Sequence, residues 1–288
     1  MSRIFDDIKL QYKIGDITNK VIYWNVGIFL LSLVLFFKFK EYEFDYPSWL
    51  ALSSYPNNFL IFPWTFLTYA FLHSGFWHLF FNMVMLNFSG RLFLTFFTQK
   101  QFLGLYILSS IFAGLVFAVS YYLLGINAPI VGASAAVLSI LVAATAYQPL
   151  MNVRLLLIGN VKLWHITAVI LILDIMQILI ENTGGHIAHI AGAFFGVIYI
   201  KLLQSGTDLS RIVTIVIDFF VNLFQPKKST PFKKVHVNTK KANTTTKSKI
   251  VVKDKTQQQI DEILDKISQS GYDSLTTEEK EFLFKAGK

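Results

Sequence analysis

FLGLYILSSIFAGLVFAVSYYLL, Phe102 to Leu124, is a run of 23 residues without one charged side chain. At about 1.5 Å of rise per residue it makes a helix of roughly 35 Å, enough to cross a hydrocarbon core about 30 Å thick. Comparable blocks lie on both sides of it: Val21 to Phe37 and Trp77 to Phe97 upstream, and Gly132 to Pro149, Val161 to Glu181 and His186 to Leu203 downstream. Composition agrees, because 53% of the 288 residues are hydrophobic and 15% charged, against about 45–50% and about 25% in a soluble domain. An ordinary soluble enzyme is excluded. The chain has no cysteine, which removes disulfides, thiolate metal sites and thiol catalysis. The reading is an all-α membrane protein with six crossings.

Charge orients the crossings, since Lys and Arg gather in cytoplasmic connections. Arg3, Lys9, Lys13 and Lys20 precede the first block, Arg91 and Lys100 lie in the last turns of the second and just beyond it, and Arg154 and Lys162 mark the connection between the fourth and fifth. Residues 125–131 and 182–185 carry none; Lys38 and Lys40 are the exception. Both termini are therefore expected in the cytoplasm. No small-residue cleavage site follows the first block and Met1 to Lys20 holds three Asp, so a retained span is expected there rather than a signal peptide.

The net charge of +8 is concentrated, because Gln225 to Lys255 contains ten Lys and one Asp and the remainder is nearly neutral. Beside apolar spans such a run reads as a segment near anionic lipid, not as a nucleic-acid surface. The sequence divides into a cytoplasmic segment 1–20, a six-span domain 21–204, an amphipathic helix 205–225, a basic flexible linker 226–256 and a small helical hairpin 257–288. The amphipathic helix is expected on the inner leaflet, because Arg211, Thr214, Asp218, Asn222 and Gln225 form one polar stripe. In the hairpin, Ile260, Ile263, Leu264 and Ile267 share a face, Gly271 ends the first helix, and Thr276 with Glu279 makes a capping box for the second. Its apolar face is available for self-association or a cytoplasmic partner.

With this topology spans two, four and six run inward, so their N-termini share a depth. Reactive side chains gather there: His73, His78 and Asn82; Ser134 in Gly132-Ala133-Ser134-Ala135-Ala136; His186 and His189. A Ser hydroxyl needs a base within hydrogen-bond reach to become a nucleophile, and neutral His suits that work. Small residues, Gly132 and Ala135 on one helix and Gly192 and Gly196 on another, let the backbones approach closely enough for Ser134 and His189 to meet. His78 and Asn82 stand one turn apart and can donate to a developing oxyanion. Singly, each residue has a plainer structural use; together at one depth they argue for chemistry. A metal or proton pathway through His73, His78, His186 and His189 is the competing reading, with Asp174 as the one carboxylate able to join it. Asp174 is otherwise expected to pack on a polar helix face, and His165 lies toward the opposite end of span five.

The stretch PWTFLTYAFLHSGFWH from Pro63 to His78, continuing to Asn82, Leu86 and Gly90, resembles the loop-to-second-helix signature of rhomboid intramembrane serine proteases. GASAAV from Gly132 is similar to their nucleophile motif and AHIAGAFFG from Ala188 to their sixth helix. The resemblance spans Val21 to Leu203 and implies the six-transmembrane-helix rhomboid fold. It implies Ser134 as nucleophile and His189 as general base in a dyad without a third acid, with His78, Asn82 and the Ser134 amide stabilising the oxyanion. It further implies no cofactor or metal, single-span transmembrane proteins in the lipid bilayer as substrates, and cleavage near their outer ends. The hairpin is similar to an appendage of some bacterial rhomboids, which implies the bacterial inner membrane. Two departures stand out. Ala135 occupies the position where the family has Gly, implying a tighter oxyanion hole, and no Arg occurs from residue 39 to 63, where a Trp-Arg element is common. A catalytically silent rhomboid-fold protein that binds or escorts membrane clients is the alternative, and the presence of both Ser134 and His189 argues against it.

Overall fold

The computed structural model describes residues 2–156, 158–178, 180, 182–224 and 255–286. It comprises two units, residues 1–228 and 229–288. The basic linker expected at 226–256 falls almost entirely outside the described residues.

In the first unit the helices are α1 (Ser2–Ile14), α2 (Ile17–Leu35), α3 (Pro56–Ile61), α4 (Thr65–Thr68), α5 (Phe76–Leu94), α6 (Gln99–Leu123), α7 (Ser134–Tyr147), α8 (Leu163–Gln177), α9 (Thr183–Gln204) and α10 (Ser210–Phe224). Helix α7 is the axis of the bundle, with Ala135 through Thr145 all buried and α5, α6, α8 and α9 packed around it. Its sequence explains this placement, since Ala and Ser dominate its N-terminal half and small side chains admit close neighbours. Gly192 and Gly196 of α9 lie on the carbonyl oxygens of Ala135 and Ser139 of α7, so a Cβ at either position would strike backbone.

By length and composition α2, α6 and α9 are able to cross a membrane, while α7 and α8 are apolar but shorter. Several expected boundaries move. The first block begins at Ile17, four residues early, because the Asp16 side chain caps the helix by accepting from Asn19 N–H at 3.0 Å. The fourth loses Gly132 and Ala133 at its start, since Gly132 takes φ +137, and Gln148 and Pro149 at its end. The fifth loses Val161 and Lys162, which form an antiparallel hairpin instead: β5 (Asn152–Leu155) pairs with β6 (Gly159–Lys162).

Two shorter strand pairings shape the remaining surface. β1 (Phe37–Lys38) pairs with β2 (Glu43–Phe44), and β3 (Leu52–Ser53) pairs with β4 (Pro129–Ile130). The second pair ties the loop after α2 to the connection leading into α7. Ser54 reinforces it, its hydroxyl donating to Ile126 O at 2.9 Å and accepting from Ala128 N–H at 3.0 Å. Deeper in the bundle Tyr69 donates to Ser110 O at 2.8 Å and Tyr106 to Ala70 O at 3.0 Å, fixing the segment before α5 onto α6.

Helix α10 starts where Ser210 meets Gly104 of α6. Beyond Ser210 and Val213 its apolar side chains, including Ile215, Phe219, Phe220 and Leu223, are exposed. In the second unit α11 (Lys255–Ser270) and α12 (Thr277–Ala286) flank Gly271 at φ +80. Thr276 N–H donates to Glu279 Oε2 at 2.7 Å and Glu279 N–H to Thr276 Oγ1 at 3.3 Å, the reciprocal capping box. Lys266 adds an ion pair to Glu279 at 2.8 Å.

Candidate active site

Ser134 is the first residue of α7, so its N–H belongs to the turn that has no intrahelical acceptor and points out of the helix end. The approach to it is set by Gly132. Its φ of +137 disfavours any side chain, and a Cβ there would lie 2.9 Å from the His78 ring and 3.4 Å from Ser134 Oγ. Its N–H donates to Tyr69 O at 2.9 Å, anchoring the turn that follows β4.

Across from it, His189 of α9 brings Nε2 to 2.5 Å from Ser134 Oγ. The other ring nitrogen, Nδ1, lies 2.8 Å from Asp174 Oδ1, and His186, one turn earlier, places its own Nδ1 2.5 Å from that same oxygen. An ionised carboxylate only accepts, so both Nδ1 atoms donate. His189 Nε2 is then left as the acceptor for the Ser134 hydroxyl proton. The side chain of His189 is 20% exposed while those of His186 and Asp174 are 10% exposed, so His189 faces a cavity and its partners lie behind it.

His78 carries the opposite proton arrangement. Ser74 N–H donates to its Nδ1 at 3.4 Å and the Ser74 hydroxyl lies 2.9 Å from the same atom. Nδ1 is therefore the acceptor, and Nε2 presents N–H toward Gly132 and Ser134. Asn82 donates one amide hydrogen to His78 O at 2.8 Å, which orients the amide and leaves its second hydrogen free. His73 is fully buried, with its ring centroid 5.1 Å from that of His78; burial together with the adjacent His78 lowers its pKa to about 3 and keeps it neutral.

His78, Asn82, Gly132, Ser134, Ala135 and His189 all line one cavity of about 840 Å³. A second, narrower cleft of about 300 Å³ opens between α5 and α8, with Phe81, Met85 and Leu173 on its walls and Asp174, His186 and His189 at its base. Ala135 clusters with Ala188 and Ala191, where its methyl group meets other small side chains.

Asp174 packs on a polar face of α9, as expected, but that face is the one carrying His186 and His189, so an acid lies within hydrogen-bond reach of His189. One expectation changes. The four histidines do not form one group: among the described residues the set able to hold a metal ion is Asp174, His186 and His189, with ligand atoms within 4.8 Å of one another. Ser74 was not singled out, and its sequence signal was faint, a hydroxyl four residues before His78. His165 lies in the first turn of α8, its ring tilted against that of Trp164.

The family model for the rhomboid domain matches residues 62–205, half of the chain and all the residues just described. The chain belongs to the rhomboid family, whose members are in general intramembrane serine proteases acting on transmembrane substrates. It is a membrane protein of mainly helical fold. A family of unknown function (DUF6576) matches residues 251–285, which cover most of the hairpin. No curated protein matches the chain.

Proposed function

We propose that this chain is an intramembrane serine endopeptidase that cleaves transmembrane segments near their outer ends. The observation that carries the reading is the 2.5 Å approach of His189 Nε2 to Ser134 Oγ at the wall of a cavity that His78 and Asn82 also line. Ser134 Oγ attacks the scissile carbonyl carbon while its proton passes to His189 Nε2. The resulting oxyanion accepts from the His78 Nε2–H, the free Asn82 N–H and the Ser134 N–H. Collapse of the tetrahedral species breaks the C–N bond, and His189 returns the proton to the leaving amine. Water then enters, deprotonated by His189, and releases the acyl group from Ser134.

The fold makes this chemistry compatible with a bilayer. Taking α2, α5, α6, α7, α8 and α9 as the six crossings, with both termini cytoplasmic, the Lys-rich connections lie inside. Helix α7 has 14 residues, about 21 Å of helix. If its C-terminal end lies at the inner interface of a core about 30 Å thick, Ser134 is sunk roughly 9 Å below the outer one. The cavity admits water to that depth, and protein surrounds α7, so its short length exposes no backbone to lipid. Substrate helices are already hydrogen-bonded, so favoured sites are weak helices rich in Gly or small polar residues. The bacterial inner membrane fits the sequence-based orientation, and the exposed apolar side of α10 suits the lipid interface of the inner leaflet.

The test is covalent labelling of the purified protein by a fluorophosphonate, with cleavage of a model single-span substrate measured in parallel. Labelling at Ser134 that is lost in Ser134→Ala, together with loss of cleavage, supports the protease. A folded protein that neither labels nor cleaves is the silent client-binding form.

A further inference from the structure

We infer that Asp174 is a positioning residue for His189, making a three-member Ser134–His189–Asp174 relay in which His186 braces the carboxylate. This deepens the protease reading and rests on it.

Helix α8 has only three buried residues, Leu163, Thr167 and Asp174. Leu163 and Thr167 sit toward its first turns, where Thr167 meets Thr145 of α7 at 2.6 Å. Asp174 is the only charged side chain on α8, and it is turned inward, not toward an aqueous surface. An ionised acid away from water is costly unless paired, so it needs strong partners. A structural tie between helices would be satisfied by one. Here Oδ1 alone receives two hydrogen bonds, at 2.5 Å from His186 and 2.8 Å from His189.

The arrangement has a directional consequence. A neutral imidazole carries one proton, and the carboxylate accepts it at Nδ1, which forces Nε2 of His189 into the acceptor state that Ser134 requires. Without Asp174 both tautomers compete, and the one protonated at Nε2 cannot take the serine proton. As His189 becomes an imidazolium during attack, the adjacent carboxylate stabilises it without taking the proton itself. His186 lies one helical turn from His189, so the two donors hold Oδ1 from one helix face and prevent the carboxylate from swinging into the 300 Å³ cleft beside it. The carboxylate takes up no proton at any step, so no further reactant is required.

Asp174→Asn in the full-length protein is the decisive change, because it keeps the size and removes the charge that selects the tautomer. The expected result is a fall in kcat of about 100- to 10,000-fold with KM unchanged, as for loss of the orienting acid in other serine proteases. His186→Gln should cost less, since the Asp174–His189 bond survives it. A nitrogen-15 spectrum of histidine-labelled protein, with the His189 signal assigned by its loss in His189→Gln, should show Nδ1–H in the native protein and a shift toward Nε2–H in Asp174→Asn. Activity within threefold of native in a folded Asp174→Asn protein would overturn the inference, as would a native His189 protonated at Nε2. Should Asp174→Asn not fold, the native spectrum still decides. The tautomer is read without turnover, so failure of the relay is distinguishable from failure of the protease reading, which Ser134 labelling tests.

Discussion

Gly192→Ala adds a single methyl group at the seam on which Ser134 and His189 meet. Its Cβ would stand 2.9 Å from the carbonyl carbon and 3.2 Å from the Cα of Ala135, and closer still to the carbonyl oxygen. Ordinary carbon contacts need about 3.5–4.0 Å, so α9 has to retreat from α7 by at least about 0.6 Å, and the obstacle is backbone that no rotamer change relieves. Ala135 follows Ser134 directly, and Gly192 lies one turn after His189. The displacement is therefore transmitted to the 2.5 Å Ser134–His189 contact. Active geometries tolerate about 0.5 Å, and misplacement by about 1 Å costs about 100-fold. The expected outcome is a 10- to 100-fold loss of turnover and of fluorophosphonate labelling rate, with about 1–3 kcal/mol of stability lost to overpacking. Gly27→Ala on α2, where nothing lies within 4 Å, is the control and should leave both unchanged. Rates are to be measured in detergent with a single-span substrate, and stability by thermal unfolding of the same preparation. Native labelling and turnover in Gly192→Ala would refute the argument that this glycine sets the distance between nucleophile and base.

Ser134→Ala and His189→Ala should each abolish cleavage while leaving the folded protein in the membrane, and the double variant should be no worse, since the two act as a unit; substrate cleavage followed on a gel checks this. Asn82→Ala and His78→Ala should slow turnover by roughly 10- to 1,000-fold with the Ser134 amide still in place, and complete loss of labelling in either would assign it a structural role instead. Ser74→Ala removes the hydroxyl beside His78 Nδ1 but keeps the backbone donor, so a loss of under about 10-fold in kcat is expected; a loss matching His78→Ala would mean that the hydroxyl alone holds the ring. Truncation after Phe224 should preserve cleavage in detergent, because α9 carries the chain about 22 Å from His189 to Gln204 before the tail begins. Loss of activity in a folded truncated protein would make the tail a regulator of the distant site.

Hydropathy is a local property, and it was enough to locate α2, α5, α6, α7, α8 and α9 to within a few residues at each end. Ser134, His189, His78 and Asn82 were legible as candidates, because each sits in a short run with local signals: Gly132 two residues before Ser134, and the one-turn spacing of His78 and Asn82. The capping box at Thr276 and Glu279 was readable for the same reason, its two partners being three residues apart. What the tertiary structure decided was rotation and register. An apolar block states the length of a helix but not which side turns inward, so Asp174 had no visible partner until α8 and α9 came together across 12 and 15 positions of sequence. The brace between β3 and β4, closed by Ser54 and Ala128 over 74 positions, is equally non-local. The amino-acid order supplied Ser134 and His189 as candidate nucleophile and base, while the packing of α7, α8 and α9 decided the distance between them and set Asp174 behind His189.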